Sequence, residues 1–412
     1  MPEKVLLVFR FDTTVNDSHV EEMVGLAQAA GYDVTGTVVQ TRAEDSKYNI
    51  GAGKVEELGK IIKEKGATKV IFYNMLKPSQ VYNLRKELKV DVIDRYELIL
   101  EIFAKRAGSR EAKLQIELAK LKRELSFARE YINLSKRGEL HGFLGGGKYA
   151  VDAYYTYVAR RISLIERSLE KIRQQKNMRF SRRGEAGLYS VSLTGYTSAG
   201  KSTLFQKFTQ EEVYIDGKPF ATLSTLTRRT KLLGHPVLIT DTIGFIDSLP
   251  DQLVDAFYTT LQETVFSDVI VLVVDISEDA KEVIRKFNTS IDILSSLGVS
   301  FNRIIIAANK IDLLDASQIE KRVEVLGASG FPVIPISAKK GVGLFELSQA
   351  IISKLPDKKI EKLVLKPGSS NLLSEALRKC RVIDISEDAD GSLKVIVEGR
   401  AETIARLKAR CR

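Results

Sequence analysis

The chain has little cysteine: among 412 residues only Cys380 and Cys411 carry a thiol. Two cysteines near one end cannot build a disulfide framework, and their spacing does not suit zinc, so a reducing, cytoplasmic setting is expected. Long apolar runs are lacking too. None approaches the ~18–20 residues of a spanning helix, which argues against a membrane protein. At the N-terminus Met1-Pro2-Glu3-Lys4 turns acidic too soon, and Val5 to Phe9 is too short, for a secretion signal; this segment reads as a first strand. Internal repeats and low-complexity tracts are also absent. Hydrophobic residues at 44% and charged residues at 28% exclude wholesale disorder. At ~150 residues per domain, the length predicts two to three domains.

Charge is what the chain has in excess. Sixty-three Lys and Arg against fifty-three Asp and Glu give +10. From Lys105 to Glu185 there are 20 basic and 9 acidic residues, a net of +11 that leaves the rest of the chain at −1. An acidic partner is therefore expected at this stretch rather than over the whole surface.

Up to about residue 106, short β-branched runs (Val5–Phe11, Tyr32–Val39, Lys69–Tyr73, Val90–Ile93) alternate with segments of helical spacing (Val20–Ala30, Val55–Lys65, Gln80–Leu88). This alternation predicts a parallel sheet with right-handed crossovers. Gly51-Ala52-Gly53-Lys54 lacks the spacing of a phosphate loop and reads as a turn before a helix. Next, Leu114, Leu118, Leu121, Leu125, Ala128 and Ile132 recur at heptad spacing, as do Val158, Ile162, Ile165, Leu169 and Ile172. Two such seams predict an antiparallel helical hairpin. Its connector, Lys136 to Lys148, is basic and glycine-rich, and is followed by Tyr149, Tyr154, Tyr155, Tyr157 and Arg160-Arg161. Cations that neutralise phosphates, interleaved with rings that stack on bases, favour RNA over a plain solvated coiled coil. A third unit reads β/α again, with core strands at Leu188–Thr194, Val237–Thr240, Asp268–Val274, Arg303–Ala308 and Val333–Ile336. The tail suggests strands at Arg381–Ile385 and Leu393–Glu398, a turn at Asp390-Gly391 and a helix at Glu402–Arg410.

The chemistry lies in the third unit. Gly195-Tyr196-Thr197-Ser198-Ala199-Gly200-Lys201-Ser202, with Thr203 beside it, fits the phosphate-binding loop between a strand and a helix. Backbone N–H groups and the helix N-terminus would cradle phosphates, Lys201 would reach the β and γ phosphates, and Ser202 would bind Mg²⁺. Asp241-Thr242-Ile243-Gly244 follows an apolar run: Asp241 can hold Mg²⁺ through water and the Gly244 N–H can sense a γ-phosphate. In Asn309-Lys310-Ile311-Asp312 the Asp312 carboxylate can accept from guanine N1 and N2, donors that adenine cannot supply. The Ser337-Ala338-Lys339 backbone can meet the guanine O6. Four such motifs in order define a guanine-nucleotide-binding domain. Phe220-Ala221-Thr222-Leu223 lies in a Thr-rich stretch running to Thr230, where a threonine would complete the Mg²⁺ shell with GTP and release it afterwards; Thr222 is the choice, with Thr225 and Thr227 as fallbacks. Lys201, Thr222 and Gly244 are the catalytic candidates, and Ser202, Thr222 and Asp241 the metal ligands. Phe245 follows Gly244 and cannot polarise water, and Gln252 and Gln262 read as helix-surface residues. Slow intrinsic hydrolysis is therefore expected, on the order of 10⁻⁴–10⁻² s⁻¹, with a docked partner supplying or ordering the missing group.

Over nearly its whole length the chain resembles the HflX family of Obg-related GTPases. The resemblance rests on the phosphate loop continued through Thr203-Leu204-Phe205, on Phe220-Ala221-Thr222-Leu223 and on Asp241-Thr242-Ile243-Gly244-Phe245. It rests also on Gly53-Lys54-Val55-Glu56-Glu57-Leu58, Val92-Ile93-Asp94-Arg95, Leu98-Ile99-Leu100-Glu101-Ile102-Phe103-Ala104 and Leu114-Gln115-Ile116-Glu117-Leu118-Ala119. It implies GTP- and Mg²⁺-dependent binding to the large ribosomal subunit, splitting of stalled or idle ribosomes in bacteria, a hairpin that reaches ribosomal RNA near the peptidyl transferase centre, and ATP binding in the N-terminal region. Ser198 stands where the family usually has Asn, which in related GTPases holds potassium. Ser224-Thr225-Leu226 replaces Asp-Pro-Thr, and Gly142-Phe143-Leu144-Gly145-Gly146-Gly147 replaces the bacterial Arg-Gly-Pro-Gly-Glu run, as in the archaeal branch.

The expected fold class is thus α/β and multidomain: an N-terminal parallel β/α domain (1–106) with a basic helical hairpin and linker (107–183), a P-loop GTPase domain (184–357) and a small α+β C-terminal domain (358–412). The expected protein is a monomeric cytoplasmic GTP switch that binds GTP or GDP, Mg²⁺, the large ribosomal subunit and its RNA. The residues alone also admit an ATP-dependent RNA-remodelling enzyme using the N-terminal half, or a non-ribosomal signalling GTPase whose hairpin binds a protein.

Overall fold

The computed structural model describes residues 2–13, 17–136, 147–185, 188–210, 225–246, 264–366, 369–388 and 390–411. The chain divides into two compact units, the first built from residues up to Glu170 and the second holding the later sheets.

The first unit alternates β1 (Lys4–Phe11), α1 (Asp17–Ala29), β2 (Asp33–Thr41), α2 (Ala52–Lys65), β3 (Lys69–Phe72), α3 (Pro78–Leu88), β4 (Asp91–Asp94) and α4 (Arg95–Arg106). The strands form one parallel sheet in the order β2-β1-β3-β4. Successive side chains of a strand point to opposite faces, which sorts the core. Leu6, Val8, Val70, Phe72 and Val92 pack with Val55, Leu58 and Ile62 of α2 and Val81, Leu84 and Leu88 of α3. The Gly51–Lys54 segment, expected as a turn before the helix, is instead the N-cap and first turn of α2: Gly51 is the N-cap and donates its N–H to Gln40 Oε1 at 2.9 Å, and Ala52, Gly53 and Lys54 are already helical.

The chain continues into α5 (Arg110–Lys136) and α6 (Gly147–Glu185). Both heptad seams meet: Leu118, Val158, Ile162, Ile165 and Leu169 form a buried cluster flanked by Leu114, Leu121 and Leu125. Arg161–Glu117 (2.7 Å) and Lys122–Glu166 (3.0 Å) pair across the helices. The connector at 137–146 lies outside the described residues. A buried charge cluster ties α5 to the sheet. Asp94 caps α4 by accepting from the Glu97 N–H at 3.1 Å, and also accepts from the Leu76 N–H at 3.0 Å and from Arg123 Nη2 at 2.5 Å. Asp94 is fully buried, and the Arg123 guanidinium lies over the rings of Tyr96 and Phe127, 4.8 and 5.0 Å from their centroids.

The second unit contains β5 (Tyr189–Gly195), α7 (Lys201–Thr209), β6 (Leu226–Leu232), β7 (His235–Asp241), β8 (Val269–Asp275), α8 (Ala280–Ser296), β9 (Ile304–Asn309), α9 (Ala316–Gly327), β10 (Val333–Pro335) and α10 (Leu344–Lys354). The sheet order is β10-β9-β8-β5-β7-β6, parallel except for the edge strand β6. Its central strands are covered on both faces and read as continuous apolar runs for that reason. Val269, Val271 and Val273 of β8 face Leu204 and Phe205 of α7 and Leu347 and Ile351 of α10. Ile270, Leu272 and Val274 face Val283, Phe287 and Leu294 of α8 and Leu326 of α9.

The tail is β11 (Lys358–Leu365), α11 (Ser370–Lys379), β12 (Arg381–Glu387), β13 (Leu393–Arg400) and α12 (Ala401–Cys411). Its antiparallel sheet, β11-β13-β12, has one face on a core of Leu363, Val395, Val397, Ala376, Ile404 and Leu407. Cys380 is buried in this core and Cys411 is half-buried; both are free thiols. Among the described residues no helix is long and apolar enough to cross a membrane.

Candidate nucleotide site

Strand β5 lies between β8 and β7, where the strand order reverses: β7 and β6 lie to one side of it and β8, β9 and β10 to the other. The crevice beyond the carboxyl ends of such strands is where open α/β sheets bind ligands. Four of the sequence motifs gather there: Gly195 ends β5, Asp241 ends β7, Asn309 ends β9 and Ser337 follows β10.

The phosphate loop joins β5 to α7. Gly195 has φ +136°, and a Cβ there would come within 2.2 Å of the Val273 carbonyl oxygen, so no other residue fits. Ser198 is also left-handed, at φ 60°. Lys201 opens α7 and turns back into the loop, where Nζ donates to the carbonyls of Gly195 (3.1 Å) and Tyr196 (2.7 Å). Burial pushes its amine down to about 8, against the opposing pull of the Asp241 carboxylate. Ser202 follows and donates its hydroxyl to Asp241 Oδ2 at 2.7 Å. Thr203 is half-buried on the same helix.

The Asp241-Thr242-Ile243-Gly244 segment is held from below by the Thr242 hydroxyl, which donates to the Leu193 carbonyl at 2.8 Å. Gly244 passes so close to the loop that a Cβ would meet Lys201 Nζ and Thr197 Cγ2, each at 2.9 Å. The next residue stitches the two motifs together: the Phe245 N–H donates to Gly195 O at 2.9 Å, and Phe245 O accepts from the Thr197 N–H at 2.8 Å. The Phe245 side chain is buried in a cluster with Tyr196 and Ile270. It is an apolar anchor with no capacity to orient water.

The base-reading motifs are coupled by side chains. Asn309 Nδ2 donates to the Ala199 carbonyl at 2.7 Å, while its Oδ1 accepts from the Ala338 N–H at 2.9 Å. One amide thus fixes the distance between the phosphate loop and the Ser337-Ala338-Lys339 turn. The Ser337 hydroxyl donates to Asp312 Oδ1 at 2.6 Å and accepts from the Lys340 N–H at 3.0 Å. Lys310, left-handed at φ 70°, forms an ion pair with Asp275 at the end of β8. Ile311 lies in the short turn before Asp312, and Asp312 and Lys339 are exposed.

Phe220, Ala221, Thr222 and Leu223 lie outside the described residues, as do Gln252 and Gln262. Of the fallback threonines, Thr225 begins a described segment, and Thr227 belongs to β6, its hydroxyl 3.0 Å from that of Thr240. The Thr-rich stretch therefore ends in an edge strand that its polar sequence did not announce. Three roles also escaped the motif reading: the bridging amide of Asn309, the support Ser337 gives Asp312, and Asp275. The last had a signal, since it terminates the apolar run Val269–Val274 at the sheet edge where the other motifs gather.

The fold and site define a P-loop guanine-nucleotide-binding protein. Three family profiles match the chain in sequence: a GTP-binding GTPase N-terminal region (17–104), a GTP-binding GTPase middle region (106–183) and a 50S ribosome-binding GTPase (190–310). Among similar proteins, GTPase HflX of Thermofilum pendens is 58% identical over 99% of this chain and 97% of its own length. GTPase HflX of Thermococcus kodakarensis is 42% identical, covering 84% of this chain and 80% of its own, and that of Escherichia coli is 33% identical, with 95% and 93% covered. A crystal structure of SsGBP in complex with GDP is 30% identical, covers 85% of this chain and 98% of its own, and superposes with a TM-score of 0.51. The chain belongs to the HflX family of GTPases.

Proposed function

We propose that this GTPase is a switch acting on the large ribosomal subunit, where it splits, rescues or remodels ribosomes, with its basic hairpin against ribosomal RNA. The observation that carries the reading is the joining of a guanine site to a hairpin region that holds the chain's entire charge excess. The 50S ribosome-binding description of the matching GTPase family supports it.

In this reading the domains keep the limits expected from the sequence, and each site residue has a role. The loop from Gly195 to Thr203 wraps the phosphates, with the Lys201 ammonium on the β and γ oxygens. The Gly244 N–H reports the γ-phosphate, and Asp312, steadied by Ser337, reads guanine. Ser202 and Asp241 place a hydroxyl and a carboxylate at hydrogen-bonding distance beside the loop, a hard-oxygen pair that fits Mg²⁺ with phosphate and water completing the shell. Thr222 would join them. Bound Mg²⁺ would offset charge on the phosphate oxygens. Because Phe245 is committed to the core, a partner must order the attacking water, and turnover of the isolated protein is slow.

The test is sedimentation of the full chain with large subunits in GDP, GTP and a non-hydrolysable analogue. Binding should be strongest with the analogue and should vanish in Lys201→Ala. Equal cosedimentation in all three nucleotide states would refute the switch.

A further inference from the structure

The tail domain is fastened to the GTPase sheet at the end opposite the nucleotide crevice, and one strand carries the fastening. Glu398 and Arg400 are two residues apart on β13 and share the face turned away from the tail's core, because Val397 and Gly399 point inward. Arg400 forms an ion pair with Asp268, and its guanidinium lies 4.8 Å from the centroid of the Tyr189 ring. Asp268 in turn accepts from the Ser190 N–H (2.8 Å) and hydroxyl (2.9 Å). These contacts grip the starts of β5 and β8, the central strands of the sheet.

Glu398 grips something different. Its Oε2 lies 3.3 Å from Nε2 of His235, the first residue of β7, and accepts from Arg381 Nη1 at 3.1 Å. Arg381 lies against Gly234 in the β6–β7 turn, where a Cβ would approach its side chain to 3.3 Å. Arg229 of β6 donates to the Arg378 carbonyl at the end of α11. Among the described residues the hairpin so held forms the edge of the sheet and pairs with the rest of it through β5 alone. Its far end carries Asp241, and Thr227 and Thr240 bond across it beside the nucleotide site. A seven-residue strand spans about 20 Å, so β7 runs from the tail contact to the Mg²⁺ pair.

We infer that the tail domain is a brace on the switch, with Glu398 and Arg400 holding the edge hairpin β6–β7 in position against the central strands and thereby restraining nucleotide exchange. When the hairpin shifts, the Glu398–His235 contact must break while Arg400 keeps the tail on the frame. The contact also has a chemical handle. His235 is buried, and the charged groups facing it are Glu398, Arg381 and Lys358. Burial holds its imidazole below the usual 6.5, Glu398 pulls upward, and Arg381 and Lys358 add to the depression. A depressed value means that the braced state favours neutral imidazole: bracing is complete above about pH 6.5 and is lost as pH falls through the depressed value.

The experiment follows release of a fluorescent GDP analogue from the full chain at pH 7.5 and 5.5, with hydrogen exchange of residues 226–241 measured in parallel. At pH 7.5, Glu398→Gln and Arg400→Met should each speed release about fivefold or more, the lower end of ordinary intramolecular coupling, and should raise hairpin exchange. Wild type should move toward the variant rate as pH is lowered from 7.5, and His235→Asn should remove most of that pH dependence. His235→Asn, at pH 7.5, also substitutes for Glu398→Gln should the latter fail to fold. Unchanged release in folded variants, or faster release with hairpin exchange unaltered, would overturn the brace.

Discussion

At the scale of single residues, Lys201 carries the clearest consequence. Burial holds its amine near 8, and phosphate oxygens beside it would favour the charged form again. Binding should therefore take up a proton between the free and bound values, and affinity for GTP should decline as pH rises above about 8. Calorimetry at pH 8.5 in buffers of different ionisation enthalpy measures this directly; a heat independent of buffer would contradict it. Asp312→Asn should weaken GTP by about 1.5–3 kcal/mol, the scale of a hydrogen bond to a charged group, and should narrow the preference for GTP over ATP. Competition binding reads both. Motifs made this part of the site legible in advance, since a phosphate loop and a guanine-reading aspartate are local patterns. The Asn309 amide was not legible: its partner Ala199 is 110 residues away, and only the sheet order brings them together.

At the scale of elements, periodicity decided what could be read. The β/α alternation and both heptad seams were visible because a buried face repeats at 2 or 3.5 residues. Strand β6, Leu-Thr-Arg-Arg-Thr-Lys-Leu, was not visible: it is an edge strand, and edges carry charge rather than an apolar stripe. Strand β11, with three lysines in eight residues, escaped for the same reason. The hairpin's attachment is the element-level feature most open to test. Arg123 and Asp94 are both buried, so Arg123→Ala strands a carboxylate in the interior and should cost about 3–5 kcal/mol in the first unit. Replacing both, Arg123→Met with Asp94→Asn, should cost less. Urea unfolding of the full chain, followed through this unit, distinguishes the two; equal losses would mean the pair is not acting as a buried couple.

At the scale of the whole molecule, the charge map separates two kinds of binding. The guanine site pairs buried charges, which salt screens little, whereas a hairpin on RNA should lose affinity steeply, with a log–log slope set by the number of phosphates neutralised. Titrating subunit binding between 50 and 200 mM salt should show this slope in wild type and a shallower one when the exposed Arg160 becomes Gln. A flat response would point to a protein partner instead. The Asp94–Arg123 anchor also bears on time. Asp94 and Arg123 both precede Gly195, so each partner of that anchor is made before the phosphate loop exists. A chain still in synthesis can then seat α5 on the first sheet before any part of the nucleotide site has been made.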